Sequence, residues 1–118
     1  MPKPTIIRAL SVRQLYAEQI LQGKKTIEYR TVRTNIIGER VYIYASKLFD
    51  ISEDAWENVT TAPKDMPTGV LVGTVVIEKC LEEPDDDDLY EWHLVKPERL
   101  SRPLKPKNRA QPVWFKPF

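Results

Sequence analysis

The sequence predicts an α+β fold that is mainly β, a small barrel of about five to six strands with one or two helices packed against it. Three observations carry this. Stretches of period-two alternation outnumber stretches of helical periodicity. The one strong helical pattern lies near the N-terminus. A length of 118 residues suffices for one hydrophobic core but not for two. Residues 1–118 are therefore read as a single domain.

Pro2 and Pro4 mark a frayed start, and Ile6 to Leu10 reads as a first strand. A helix is expected over Ser11 to Gln22. Ser11 stands as N-cap with Gln14 three residues on, as in a capping box, and Leu10 and Leu15 are placed to form a hydrophobic staple. Val12, Leu15, Tyr16, Gln19 and Ile20 recur at helical spacing, and Gly23 falls where a helix C′ residue takes positive φ. Thr26 to Arg30 then alternates as a strand, with Thr26, Glu28 and Arg30 on one face and Lys25, Ile27 and Tyr29 on the other.

Thr31 to Gly38 is a loop closed by a glycine turn. Arg40 to Ser46 alternates Val41, Ile43 and Ala45 against Tyr42 and Tyr44, a clear strand. Asp50 to Thr60 reads as a short helix with Ser52 as N-cap, acids in its first turn, and Trp56 and Val59 on its apolar side. After the loop Pro63 to Gly69 comes a valine-rich strand, Val70 to Cys80, in which Gly73 marks a bulge or a close backbone approach. Glu82 to Asp88 is an acidic loop. Leu89 to Val95 and Val113 to Phe115 close the sheet. Lys96 to Gln111, with three prolines, cannot be regular sheet throughout.

The net charge of +1 conceals a segregation: residues 1–49 carry +6, residues 50–91 carry −11 and residues 92–118 carry +6. Basic regions of a folded surface steer polyanions. No run approaches the ~18 apolar residues of a membrane span, and no signal-peptide core is visible. The one cysteine, Cys80, excludes an internal disulfide and fits a reducing, cytoplasmic setting. His93, the only histidine, has no ligand partner at metal-binding spacing, so neither a metal nor another cofactor is expected. The Asp85–Asp88 run lacks the alternating spacing and glycine of a calcium loop.

The richest stretch is Gly-Lys-Lys-Thr-Ile-Glu-Tyr-Arg at residues 23–30. The pattern Gly-x-Lys-x-x-Glu-x-Arg, preceded by Leu10-Ser11-Val12-Arg13-Gln14 and an amphipathic helix, resembles the ASCH domain of the PUA-like superfamily. Gly23, Lys25, Glu28 and Arg30 occupy its motif positions. The order of strands around Val41–Ser46, Gly73–Val76, Tyr90–Leu94 and Pro112–Phe115 is similar too, so the likeness spans roughly residues 6 to 116. It implies a PUA-like barrel. Part of the family resembles amidohydrolases acting on N4-acetylcytidine, in which the motif lysine, a threonine three residues on and a downstream glutamate work together. Here Lys25 is in place, Glu28 stands at the threonine position with Thr26 nearby, and Glu78 is the candidate third residue. Other members are described as nucleases or as nucleic-acid binders. In much of the family a lysine-glycine turn precedes the last strand, where this chain has Lys107-Asn108-Arg109-Ala110.

Two readings follow. In the first, the chain is a nucleic-acid binding module for RNA or for a single-stranded or modified strand, held in a cleft between the N-terminal helix and the barrel. Gly23, Lys25, Glu28, Arg30, Arg13, Tyr16, Arg33 and Trp56 would line it, and Lys105, Lys107 and Arg109 would track the phosphates. In the second, it is a small hydrolase on a modified nucleoside, or a ribonuclease, with Lys25 as base and Glu28 or Glu78 as partner. Either would be a monomer or weak dimer with no membrane partner.

Overall fold

The structure, a computed structural model, describes residues 5–49 and 66–118. The helix expected over Asp50–Thr60, and Trp56 with it, lies outside the described residues. The elements run β1 (Ala9–Gln14), α1 (Tyr16–Leu21), β2 (Ile27–Arg30), β3 (Arg40–Phe49), β4 (Val70–Glu83), β5 (Asp86–Leu104) and β6 (Trp114–Phe115). All strands belong to one curled sheet in the order β2-β5-β4-β3-β1-β6. The β1–β3 pairing is parallel and the others antiparallel. The fold is thus mainly β with a small helix against it, as the sequence predicts. The sheet curls into a half-barrel whose edge strands, β2 and β6, leave a seam. One side chain spans it: Arg30 of β2 donates from Nη2 to the Ser11 carbonyl of β1 at 2.7 Å.

The alternation in β3 settles which face is inside. Val41, Ile43 and Ala45 are fully buried and meet Leu10 and Val12 of β1, Val75 and Ile77 of β4, and Trp92 and Leu94 of β5. Ala17 and Ile20 close this core from α1. Tyr44, on the opposite face, packs with Ala9, Leu71 and Phe115 in a second cluster. Gly73 is where α1 sits down on the sheet. A Cβ there would collide with the Leu21 side chain and come within 2.6 Å of the Glu98 carbonyl oxygen, so the close approach needs a residue without one.

Three expected boundaries move. Ser11 to Gln14 is strand, not the start of the helix. Leu10, Val12 and Gln14 alternate as well as they spiral, and the ladder with Ile43, Ala45 and Phe49 decides between the two periods. The Ser11 hydroxyl accordingly donates to the Gln111 carbonyl at 2.8 Å instead of capping a helix. The helix begins after Leu15, and Gln14 Oε1 accepts the Glu18 amide at 3.1 Å, doing the capping work from one position further out. At its other end Gly23 has φ +77°, as the C′ reading requires.

The acidic loop expected over Glu82–Asp88 shrinks to a turn at Pro84 and Asp85, because β4 and β5 continue their ladder to the pair Glu83–Asp86. Aspartate's poor strand propensity is overridden by hairpin closure. Finally, β5 runs through Pro97 and Pro103 to Leu104, absorbing the prolines in register shifts against Leu71–Gly73 and Thr74–Val76.

Arg99 of β5 fastens α1 to the sheet with a fork onto Glu18, both N–H···O contacts at 2.8 Å. That hydrogen bond holds the Glu18 carboxyl below its ordinary value of 4.5, against the opposing effect of burial. A depressed folded-state value contributes stability that is complete above the unfolded value and lost as pH falls through the folded one. Arg99→Ala is therefore expected to cost up to about 1 kcal/mol at neutral pH. In denaturant titrations the gap from the parent should close as pH drops below 4.5. A gap that persists at acidic pH would assign the loss to packing instead.

Candidate nucleic-acid interface

The seam between β2 and β6 opens into a cleft of about 1040 Å³. One wall is Ser11 and Arg13 of β1, with Tyr16 at the start of α1. A second is Glu28, Tyr29 and Arg30 of β2. A third is Tyr44, Ser46 and Lys47 of β3 with Gly69, and the last is the segment 105–113 that leads into β6. Alternation explains the β1 contribution. With Leu10, Val12 and Gln14 buried, Ser11 and Arg13 turn to the other side. Likewise Tyr44 and Ser46 lie opposite the buried Val41, Ile43 and Ala45 of β3.

Charge in this cleft is one-sided. Arg13, Lys47, Lys105, Lys107 and Arg109 line it and are exposed, and none has an ion-pair partner among the described residues. Among the described residues Glu28 is the one carboxylate in the lining, and it is 7% exposed. Its oxygens lie 3.8 Å from Lys25 Nζ and 3.4 Å from Arg30 Nη2. Arg30 is further placed over the Trp92 ring, 5.7 Å from its centroid. Lys25 Nζ stands 4.9 Å from the Tyr16 ring centroid and 5.8 Å from that of Tyr29. The negative ring faces and the carboxylate together hold the ammonium. The positions spaced as Lys25, Glu28 and Arg30 in the sequence thus form one ion-paired row at the seam, with Glu28 bridging two cations.

The ASCH domain family matches residues 10–109, from β1 through the basic loop. The chain belongs to the ASCH domain family. Among solved structures, this ASCH domain is similar to the crystal structure of ASCH from Zymomonas mobilis, with a TM-score of 0.64 and 14% identity over 92% of this chain and 85% of that one. A serine-to-alanine mutant of the Zymomonas mobilis protein aligns with a TM-score of 0.64 and 15% identity over 92% and 86% of the two chains. A tyrosine-to-phenylalanine mutant gives 0.64 and 13% over 92% and 88%. At such identities the likeness is one of fold. No curated protein matches.

Within this ASCH domain the expected site residues divide. Arg13, Tyr16, Glu28, Arg30, Lys105, Lys107 and Arg109 come together in the cleft, and Lys25 borders it through Glu28. Gly23 shapes the turn after α1 and does not line the cleft. Arg33 points elsewhere: it pairs with Glu82 at 3.1 Å and covers the Tyr90 ring. Thr26 and Glu78 are exposed and lie outside the lining. His93, on the face of β5 opposite the buried Trp92, is 2.9 Å from the Glu91 carboxylate. The Glu91 carboxyl is held low by hydrogen bonds from Glu83 first and His93 second, while the contact with Glu91 pushes Glu83 up.

Sequence reasoning missed Ser11 and Lys47. The alternation of β3 sets Tyr44 and Ser46 apart from the core face.

Proposed function

We propose that this ASCH domain is a nucleic-acid binding module that takes a single-stranded RNA segment, modified or not, into the seam cleft. The observation that carries the reading is the set of five cations around one concavity without a carboxylate partner among the described residues. Ion pairing within the fold leaves a cation little to offer a ligand. Unpaired cations around a groove repel one another and are relieved by a polyanion. Tyr16 and Tyr29 add ring surface to the same walls, suited to stacking an unpaired base. An open groove whose one carboxylate among the described residues is already matched favours binding over acid–base chemistry.

The roles then separate. Arg13, Lys47, Lys105, Lys107 and Arg109 meet phosphates. Glu28 cannot, and serves to hold Arg30 and Lys25 in place. Lys25, already engaged by Tyr16 and Glu28, supports the wall.

Fluorescence anisotropy with a labelled single-stranded oligoribonucleotide tests this. The logarithm of affinity should fall with the logarithm of salt concentration with a slope of about 3.5, from roughly 0.7 for each of the five phosphate contacts. Arg13→Ala should lower that slope by about 0.7, while Lys25→Ala should weaken binding by less than about threefold without changing it. Salt-independent retention, or none at low salt, would sink the proposal. Turnover of N4-acetylcytidine or cleavage of the RNA by the purified chain would replace it with the hydrolase reading.

A further inference from the structure

The segment that carries most of the cleft's charge has almost no ladder of its own. Residues 105–113 lie between β5 and β6, and from Lys105 to Phe118 the chain contains three prolines and no glycine. What fixes the 105–109 turn is the stretch beyond β6. The amides of Lys107 and Asn108 both donate to the Pro117 carbonyl, at 2.8 and 3.0 Å. The Asn108 side-chain amide donates to the Lys116 carbonyl at 2.8 Å. Pro117 is itself fully buried. Phe118 sets its ring edge-on to Tyr42 of β3, with centroids 6.2 Å apart. On the other shoulder of the loop the Ser11 hydroxyl holds the Gln111 carbonyl.

We propose that Asn108 and the Lys116–Phe118 segment act together as positioning elements of the cleft, strapping the 105–109 turn where its cations meet the ligand's phosphates. The proposal rests on the binding reading given above. Its physical content is preorganisation. Lysine and arginine side chains on a loose turn must be ordered at each binding event, whereas a strapped turn has met that cost in folding. Asn108 is the one side chain that joins turn to strap in these contacts. It does so with a donor that alanine lacks and that aspartate could not supply to a carbonyl oxygen. Lys116–Phe118 lie outside the cleft lining, so their effect must pass through Lys105, Lys107 and Arg109, whereas Asn108 itself lines the cleft and Phe118→Ala separates positioning from direct contact.

Two measurements on the full chain decide it: amide hydrogen exchange at Lys107 and Asn108 in the free protein, and anisotropy with a single-stranded oligoribonucleotide. In Asn108→Ala and in Phe118→Ala, exchange at both amides should quicken by about tenfold, as loss of one hydrogen bond or ring contact permits. Affinity should fall by roughly fivefold with a shallower salt slope, while the midpoint of thermal unfolding moves little. A merely structural role would lower the unfolding midpoint and leave the slope of the folded fraction intact, overturning the proposal. Unchanged exchange in both variants overturns the strap, and faster exchange with unchanged affinity overturns its role in binding. If the parent protein itself does not retain the oligonucleotide, the binding reading fails. The exchange data then report separately whether the strap holds the turn.

Discussion

Glu28→Ala is expected to lower the stability of the domain by about 2–3 kcal/mol, moving its unfolding midpoint down by roughly 10 °C. The carboxylate is 7% exposed and stands between two cations whose side chains are 18% and 19% exposed. Removing it leaves Lys25 and Arg30 close together in a poorly solvated place with no anion between them. A fully buried pair broken in this way costs about 3–5 kcal/mol. The lower figure reflects what survives, since Arg30 keeps the Ser11 carbonyl and the Trp92 ring and Lys25 keeps the Tyr16 ring. Glu28→Gln, which keeps the shape and one acceptor but not the charge, should fall between the parent and the alanine variant. Chemical denaturation of the three proteins checks the order. An alanine variant within about 0.5 kcal/mol of the parent would show that the row is solvated and that Glu28 has no structural duty.

The second large effect concerns binding alone. Replacing Lys105, Lys107 and Arg109 together by alanine should weaken single-stranded RNA binding by about a hundredfold at low salt and reduce the salt slope by about 2. The loss should shrink as salt rises. All three are exposed, line the cleft and have no ion-pair partner among the described residues, so stability should change by less than about 0.5 kcal/mol. Affinity within threefold of the parent would remove the turn from the interface and return attention to Arg13 and Lys47.

The strands of this fold were legible wherever one face is core and the other is not. Val41, Ile43 and Ala45 declared β3 because burial of one face imposes a period of two, and the valine-rich run of 70–76 declared β4, which is buried on both faces. Gly23 was legible because positive φ after a helix favours glycine, and Gly73 because the close approach of α1 leaves no room for a Cβ. Ser11 to Gln14 was not, since four residues satisfy both a strand and a helix and only a distant partner, β3, breaks the tie. The site shows the same division. Lys25, Glu28 and Arg30 are near in sequence and their ion-paired row could be anticipated from spacing. That Lys47 and Arg13 face the basic turn across a seam depends on how the sheet curls, which no local pattern encodes. Arg33 misled because a basic residue next to a motif looks like part of it, while a hairpin far along the chain supplied Glu82 to claim it.

The strand order has a kinetic consequence. β1 lies between β3 and β6, so one strand from the beginning of the chain waits for a partner at residues 114–115, and β2 waits for 90–93. Both borders of the cleft are thus closed by the contacts of greatest sequence separation, the kind that form late and slow the overall reaction. The cleft should therefore be absent from early intermediates and from N-terminal fragments, and in stopped-flow refolding the capacity to bind should return with the final phase and not before it.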